Sequence, residues 1–149
     1  MKKKVTLKEI EQFLAAKKLA VAGVSRDKGK MGYLVFSTLR QRGYEVLPIN
    51  PNTDSIDTVK CYHSVDELPG GITHMVLVTP AAATHGIVDS ALKKGIKNFW
   101  IQPGAGWVTV NEPGVTLIEG ECIMMFSNPV KGIHNIHRFI HRLFGNFPR

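Results

Sequence analysis

The first third of the chain follows a strand–turn–helix–strand pattern that restricts the fold more than any other feature. An apolar run over residues 19–24 gives way to a glycine-bearing loop, and a helical stretch follows over about residues 32–42. A second apolar run, Glu45–Ile49, completes the segment. Two strands joined through a glycine turn and a helix are typical of the first half of a nucleotide-binding α/β unit.

The loop in this segment combines glycines with positive charge. Gly23, Gly29 and Gly32 are spaced G-x5-G-x-x-G, which is longer than the G-x-G-x-x-G turn of dinucleotide-binding proteins. The loop also carries three cations, Arg26, Lys28 and Lys30. Free backbone N–H groups at a helix N-terminus attract anions, and glycines let a pyrophosphate approach closely. The loop therefore predicts a phosphate site built from backbone N–H groups, the helix dipole and one or more of these cations.

The end of the second strand argues against a nicotinamide cofactor. An NAD site places Asp or Glu there for the ribose hydroxyls, and an NADP site places an Arg nearby. This chain has Asn50, Pro51 and Asn52 at that point, with neither a carboxylate nor an adjacent Arg. Because these residues are missing, a sensor module that binds NAD(P) or another nucleotide is not the favoured function. It is kept only as the alternative.

Strands and helices alternate along the rest of the chain. Further strands are predicted at residues 73–79, 98–102 and 115–118, and further helices near residues 6–17, 83–94 and 132–144. Alternation of this kind requires right-handed crossovers and parallel strands. The predicted fold is α/β, with a Rossmann-like, doubly wound, mainly parallel five-stranded sheet in the order 3-2-1-4-5. In that order the ligand crevice opens at the carboxyl ends of strands one and four.

Length and composition fit one domain over residues 1–149. The chain has 149 residues, of which 44% are hydrophobic, and this suits one core. No apolar run approaches the ~20 residues that span a bilayer. We therefore expect no membrane association. Two cysteines are too few for a disulfide scaffold, so we expect a cytoplasmic setting.

The net charge of +7 favours polyanionic partners in general. It does not distinguish a phosphorylated cofactor from nucleic acid.

Several motifs, in order along the chain, resemble one known family. They are Ala22-Gly23-Val24-Ser25, Gly43-Tyr44, Pro48-Ile49-Asn50-Pro51, Tyr62-His63-Ser64-Val65-Asp66-Glu67-Leu68-Pro69, Val78-Thr79-Pro80, Phe99-Trp100-Ile101-Gln102-Pro103-Gly104 and Glu121-Cys122. On these motifs the chain resembles the small stand-alone CoA-binding proteins, which are similar to the N-terminal domain of the succinyl-CoA synthetase alpha subunit. The resemblance implies a binder of CoA or an acyl-CoA. It also implies no catalysis, because the phosphorylated histidine of that synthetase lies in a second domain.

The resemblance and the loop pattern together predict the ligand contacts. The first loop would hold the pyrophosphate and the 3′-phosphate, and Asn50 and Pro51 would border the adenosine. Two loops that match synthetase loops contacting CoA would flank the pantetheine. The candidate binding residues are Gly23, Val24, Ser25, Arg26, Lys28, Lys30, Met31, Gly32, Asn50, Pro51, Thr79, Pro80, Ile101, Gln102, Pro103 and Gly104.

Other chemistry-bearing residues do not form a catalytic set. The spacing of His134, His137 and His141 could bind a transition metal, but apolar residues flank the three histidines. The sequence therefore favours histidines at the border of a packed apolar stripe over a metal site. Cys122 matches a cysteine that recurs in the family. We expect its side chain to act as a small buried hydrophobic residue rather than as a nucleophile. An interaction module using the basic residues near the C-terminus is a second hypothesis. Nucleic-acid binding is disfavoured because no groove-reading motif is found, and a homo-oligomer is left open.

Overall fold

The structure, a computed structural model, describes residues 4–127 and contains seven β-strands and four α-helices in that range. In chain order they are α1 (Leu7–Leu14), β1 (Lys18–Ala22), α2 (Met31–Gln41), β2 (Glu45–Ile49), β3 (Ser55–Ile56), β4 (Val59–Lys60), β5 (His74–Leu77), α3 (Ala81–Lys93), β6 (Asn98–Ile101), β7 (Thr116–Glu119) and α4 (Ile123–Phe126). A short 3₁₀ helix, Val65–Glu67, lies between β4 and β5.

The central sheet has five parallel strands in the order β2-β1-β5-β6-β7. The Rossmann-like, doubly wound α/β class predicted from the sequence is confirmed. The predicted strand order 3-2-1-4-5 is wrong, because the third strand of this sheet, β5, pairs with β1 instead of lying outside β2. Its residues Met75, Val76 and Leu77 are fully buried, which requires a central position covered on both faces.

The outer edge of β2 is covered by a non-strand segment. The Tyr62 N–H donates to the Pro48 carbonyl at 2.9 Å, and the Asn50 N–H donates to the Tyr62 carbonyl at 2.8 Å. The predicted strand order placed a whole strand along this edge of β2. The structure has a single parallel bridge there, between Ile49 and Tyr62. This bridge brings residues 62–67 to the carboxyl end of β2.

Helices bury apolar side chains against both faces of the sheet. On one face α1 and α2 contribute Ile10, Phe13, Val35, Phe36 and Leu39 to a cluster with Trp100. On the other face α3 contributes Val88 and Ala91 to a cluster with Met75, Leu77 and Phe99. Helix α1 begins with a capping box, because the Glu9 N–H donates to Thr6 Oγ1 and the Thr6 N–H donates to Glu9 Oε2.

Two small elements escaped the sequence patterns. The β3–β4 hairpin turns through Asp57 and Thr58, whose φ angles are 48° and 68°. Helix α4 is held by Arg42, whose Nη1 donates at 2.6 Å to both the Met124 carbonyl and Ser127 Oγ. The predicted helix near residues 132–144 lies outside the described residues. Within residues 4–127, no helix combines the length and the apolar character needed to cross a bilayer.

Candidate ligand-binding cleft

A cleft of about 1160 Å³ opens where the strand order reverses. The chain leaves β1 towards β2 on one side and returns to β5 on the other, so the switch point lies between β1 and β5. The cleft is bordered by the segments that follow β1, β2, β5 and β6, and by one side of α3. The prediction of a crevice at this edge of the sheet agrees with the structure, but its place beside strands one and four does not.

Two glycines let α2 begin directly against the end of β1. Gly23 has a φ of +92°, and a Cβ there would lie 2.7 Å from the carbonyl carbon and oxygen of Val78. A Cβ on Gly32 would lie 2.0 Å from the Gly23 carbonyl oxygen. Neither position accepts a side chain without moving backbone, so both glycines are required by the chain itself.

Two helix N-termini border the cleft without a side-chain cap. Helix α2 starts after Lys30, and α3 starts after Pro80; neither N-cap residue makes a side-chain cap hydrogen bond, and neither first turn contains an acid. Lys30, Met31, Pro80 and Ala83 all line the cleft. The first N–H groups of a helix have no partner inside it and carry partial positive charge. Both helices therefore bring positive potential to the same cleft.

The three loop cations are not equivalent in the structure. Lys30 lines the cleft, whereas Arg26 and Lys28 are exposed and do not. The tip of the loop is folded on itself, because Ser25 Oγ accepts from the Asp27 N–H at 3.0 Å and Asp27 Oδ1 accepts from the Gly29 N–H at 2.9 Å. The Lys28 ammonium lies 5.9 Å from the centroid of the Tyr33 ring, away from the cleft lining.

The Asn50 side chain joins two loops of the cleft. Its Nδ2 donates to the Val24 carbonyl at 2.7 Å, and its Oδ1 accepts from the Asn52 N–H at 2.8 Å. The sequence predicted that Asn50 and Pro51 would border the adenosine. In the structure the Asn50 amide bonds the protein, and both residues line the cleft.

A buried pair of threonines joins the loops that follow β5 and β6. Thr84 Oγ1 donates to the Ala105 carbonyl at 2.6 Å. The hydroxyls of Thr79 and Thr84 lie 2.7 Å apart, and since the Thr84 proton is used on Ala105, the Thr79 hydroxyl is the donor. Thr84 is fully buried, so this connection is shielded from water.

Besides Arg26 and Lys28, two further predicted contacts lie outside the cleft lining. Ile101 is fully buried in the core around α3. Gln102 is 2% exposed, and its amide accepts from the Ile123 N–H at 2.7 Å and donates to Cys122 Sγ at 3.4 Å. The Ile101 side chain packs on the α3 side of the sheet, and the Gln102 amide is bonded to the start of α4, so both side chains serve packing. The predicted residues that do line the cleft are Gly23, Val24, Ser25, Lys30, Met31, Gly32, Asn50, Pro51, Thr79, Pro80, Pro103 and Gly104.

Other lining residues were not among the predicted contacts. Five of them, Ala22, Ile49, Asn52, Val78 and Ala105, directly adjoin predicted contacts along the chain. The rest form two groups, one from the segment beside β2 (His63, Ser64, Val65 and Asp66) and one from α3 (Ala83, Gly86, Ile87 and Ser90). The first group belongs to one of the motifs that carried the family resemblance, so that motif could have pointed to it. The second group lines the cleft because of the side that α3 turns towards it. The sequence pattern of α3 does not indicate which side that is.

His63 forms an ionic cluster at the rim of the cleft. Its Nε2 lies 2.7 Å from Asp54 Oδ1, its Nδ1 lies 3.2 Å from Glu67 Oε1, and its backbone N–H donates to Glu67 Oε2. The hydrogen bonds to Asp54 and then to Glu67 raise the pKa of His63 above its usual value. The backbone N–H of His63 is the main cause that lowers the pKa of Glu67.

We expect this cluster to make stability depend on pH. A folded-state pKa above the unfolded value of about 6.5 means that His63 stabilises the fold fully below that value. The contribution is lost as the pH rises through the raised pKa. The difference in melting temperature between wild type and His63→Gln should therefore be larger at about pH 5.5 than at about pH 8, as measured by differential scanning fluorimetry. A difference that stays constant with pH would contradict the ionic role.

Neither Cys61 nor Cys122 is among the residues that line the cleft. Cys122 is half-buried beside Gln102, and burial raises the pKa of the Cys61 thiol. Within residues 4–127, no group of three or more His, Cys, Asp or Glu side chains could hold a metal ion. His134, His137 and His141 lie outside the described residues.

Comparison with known structures supports the parallel sheet and its helices. A conserved hypothetical protein from Pyrococcus furiosus has a TM-score of 0.67 to this chain at 37% identity, and the match covers 72% of this chain and 97% of that one.

Curated relatives fall into two kinds. The ADP-forming acetate–CoA ligase II of Archaeoglobus fulgidus is 32% identical over 94 residues, which are 62% of this chain and 14% of the ligase. YneT, an uncharacterised protein of Bacillus subtilis, is 29% identical over 124 residues, which are 80% of this chain and 90% of YneT. The chain thus spans a small part of the acetate–CoA ligase and nearly the whole length of YneT.

A family model described as a CoA binding domain matches residues 17–128. The match includes the sheet, both uncapped helices and every residue of the cleft lining. The resemblance inferred from the sequence motifs is confirmed, and the chain belongs to the CoA-binding domain family.

Proposed function

We propose that this protein binds CoA or an acyl-CoA in the cleft between β1 and β5 and does not itself catalyse a reaction. The observation that carries the proposal is the convergence of two uncapped helix N-termini and Lys30 on a single cleft. Such an arrangement suits a ligand with several phosphates, because each helix end offers free N–H donors and a favourable dipole. CoA carries a pyrophosphate and a 3′-phosphate.

The pyrophosphate would lie at the start of α2. Gly23 and Gly32 let α2 begin directly against the end of β1 at the cleft, and Lys30 supplies a charge on the cleft side. The pantetheine would extend past the start of α3, between the loop at Thr79 and Pro80 and the loop at Pro103 and Gly104. These loops are uncharged, which suits a neutral arm.

A binding role without catalysis is supported by the side chains of the cleft. Among residues 4–127, the charged or titratable residues that line it are Lys30, His63 and Asp66. Both ring nitrogens of His63 already face carboxylates, so the imidazole has no free nitrogen for general acid–base chemistry on a ligand. We therefore propose that any reaction of the bound thioester occurs elsewhere.

Calorimetric titration with CoA, dephospho-CoA, NAD and NADP tests the proposal. We expect CoA to bind more tightly than either dinucleotide. The alternative, a dinucleotide sensor, draws some support from Asp66, a carboxylate in the cleft lining that could accept from ribose hydroxyls. Tighter binding of NAD than of CoA would overturn the proposal and favour that alternative.

We expect the loop cations to differ in their effect on CoA binding. Lys30→Ala should weaken CoA binding by about tenfold or more, since a charge-assisted bond contributes roughly 1.5–3 kcal/mol. Lys28→Ala is the matched control from the same loop, and it should change affinity by less than about twofold because Lys28 lies outside the cleft lining. Melting temperatures should barely change in either variant, because exposed charges contribute little to folding. Equal losses of affinity in the two variants would contradict this assignment.

A further inference from the structure

His63 joins two segments of the cleft rim. Residues 50–52 line the cleft and lead directly to Asp54, and residues 64–66 line it and lead directly to Glu67. The imidazole of His63, which is itself part of the lining, lies between the two carboxylates. Its Nε2 is 2.7 Å from Asp54 Oδ1, and its Nδ1 is 3.2 Å from Glu67 Oε1. A single side chain therefore connects the segment after β2 with the 3₁₀ helix.

This double contact is complete only when the imidazole is charged. A neutral imidazole has one N–H group and one bare nitrogen, so it can donate to only one of the two carboxylates. The other contact would then bring a nitrogen lone pair against a negative oxygen, which is repulsive. The imidazolium has two N–H groups and satisfies both Asp54 and Glu67. Loss of one proton from His63 therefore removes one of the two connections across the rim.

Further charged groups around His63 come from β4, the 3₁₀ helix and α3. Lys60 ends β4, and its ammonium lies 5.1 Å from the ring centroid of Tyr62, which precedes His63 in the chain. Asp66 lines the cleft beside His63. Lys94, which follows α3, donates from Nζ to the Asp66 carbonyl at 2.7 Å. None of these three groups contacts the imidazole through a hydrogen bond, so the contacts that depend on its proton are those with the two carboxylates.

The proton of His63 also changes the charge of the rim. The imidazolium and the carboxylates of Asp54 and Glu67 together carry one net negative charge, and loss of the proton makes it two. A more negative rim repels a ligand that carries several phosphates. The lost connection acts in the same direction, because a ligand must then order two segments that were already joined.

We propose that His63 makes ligand binding in this cleft sensitive to pH, with tighter binding while the imidazole is charged and weaker binding once it is neutral. This inference rests on the proposed function, because it describes how binding of CoA is regulated. The change falls above about pH 6.5, the ordinary pKa of histidine, since the hydrogen bonds to Asp54 and then to Glu67 raise the pKa of His63.

Two variants fix the charge at this position. His63→Arg keeps a positive charge at all relevant pH values and has donors for both carboxylates, whereas His63→Gln is neutral throughout. The matched control is His85→Gln on α3, where Nδ1 of His85 lies 3.2 Å from Asp89 Oδ2, outside the cleft lining. Calorimetric titrations of wild type and the three variants with CoA at about pH 6 and about pH 8.5, at low ionic strength, are compared.

We expect wild type to bind CoA about threefold or more tightly than His63→Gln at the acidic pH, and to lose this advantage at the alkaline pH. Comparison of two proteins at one pH removes the titration of the phosphates of CoA, which both experience equally. His63→Arg should keep the advantage over His63→Gln at both pH values. His85→Gln should follow wild type.

The same coupling predicts proton uptake on binding. If the charged imidazole favours CoA, bound CoA must in turn favour the charged imidazole. Calorimetry in buffers of different ionisation enthalpy should therefore show that wild type takes up more protons on binding CoA than either His63 variant does, near the pKa of His63.

The outcomes separate this inference from the proposed function. If wild type, His63→Gln and His63→Arg bound CoA with parallel pH profiles, the regulation would be overturned and the proposed function would stand. An advantage of wild type over His63→Gln that grows towards alkaline pH would also overturn the regulation, because its sign is reversed. If wild type bound CoA at neither pH, the proposed function and its regulation would fall together.

Discussion

Replacement of Gly32 by alanine is expected to destabilise the fold by about 3 kcal/mol, near the upper end of the usual cost of overpacking. The new Cβ would lie 2.0 Å from the Gly23 carbonyl oxygen and 3.0 Å from the Gly23 carbonyl carbon. Both atoms belong to the backbone, so the strain can be relieved only by moving α2 away from the end of β1. The free energy of unfolding from urea denaturation measures the effect, and calorimetry should show weaker CoA binding.

Gly29→Ala is the control for this prediction. Gly29 lies in the same loop, and the atom nearest to a methyl group at this position would be the side-chain oxygen Asp27 Oδ1 at 3.4 Å, an ordinary contact. We expect a change within about 0.5 kcal/mol. Equal stability of the two variants would show that the close approach of α2 to β1 is not needed for folding.

Replacement of Gln102 by leucine should destabilise the fold by about 1–3 kcal/mol while leaving CoA affinity unchanged. The amide of Gln102 satisfies the Ile123 N–H and contacts Cys122 Sγ, so leucine would leave a buried donor without its acceptor. Urea denaturation gives the stability, and calorimetry on the folded variant gives the affinity. This prediction differs from that for Gly32, where stability and binding fall together.

Gln41→Leu provides the matched change at an exposed position of α2, and its stability should stay within about 0.5 kcal/mol of wild type. If Gln102→Leu kept its stability and lost CoA binding, Gln102 would be a ligand contact, as the sequence motif first indicated.

The sequence predicted the elements of the fold better than their arrangement. Apolar runs and glycine stops located β1, α2 and β2 to within a few residues, because these signals are local. The order of the strands is set by long-range packing. The unbroken apolar run of β5 indicated a strand covered on both faces, and that property should have placed β5 next to β1 rather than at the edge.

The cleft shows the same division between local and long-range information. Lys30 and Lys28 are two residues apart and chemically alike, yet only Lys30 lines the cleft, because the turn held by Asp27 directs the loop tip elsewhere. Gln102 follows a strand in a motif of the family, but α4 covers it. Neither outcome can be obtained from residue type and spacing, since each depends on contacts between distant segments.

The hydrogen bonds of Asn50 and Thr84 have a consequence for the cost of binding. Asn50 joins the segments after β1 and β2, and Thr84 joins those after β5 and β6. Each pair of loops therefore loses much of its conformational entropy when the chain folds, before any ligand arrives. A ligand that enters such a cleft orders fewer backbone torsions than one that must gather free loops, so more of its contact energy is retained as affinity.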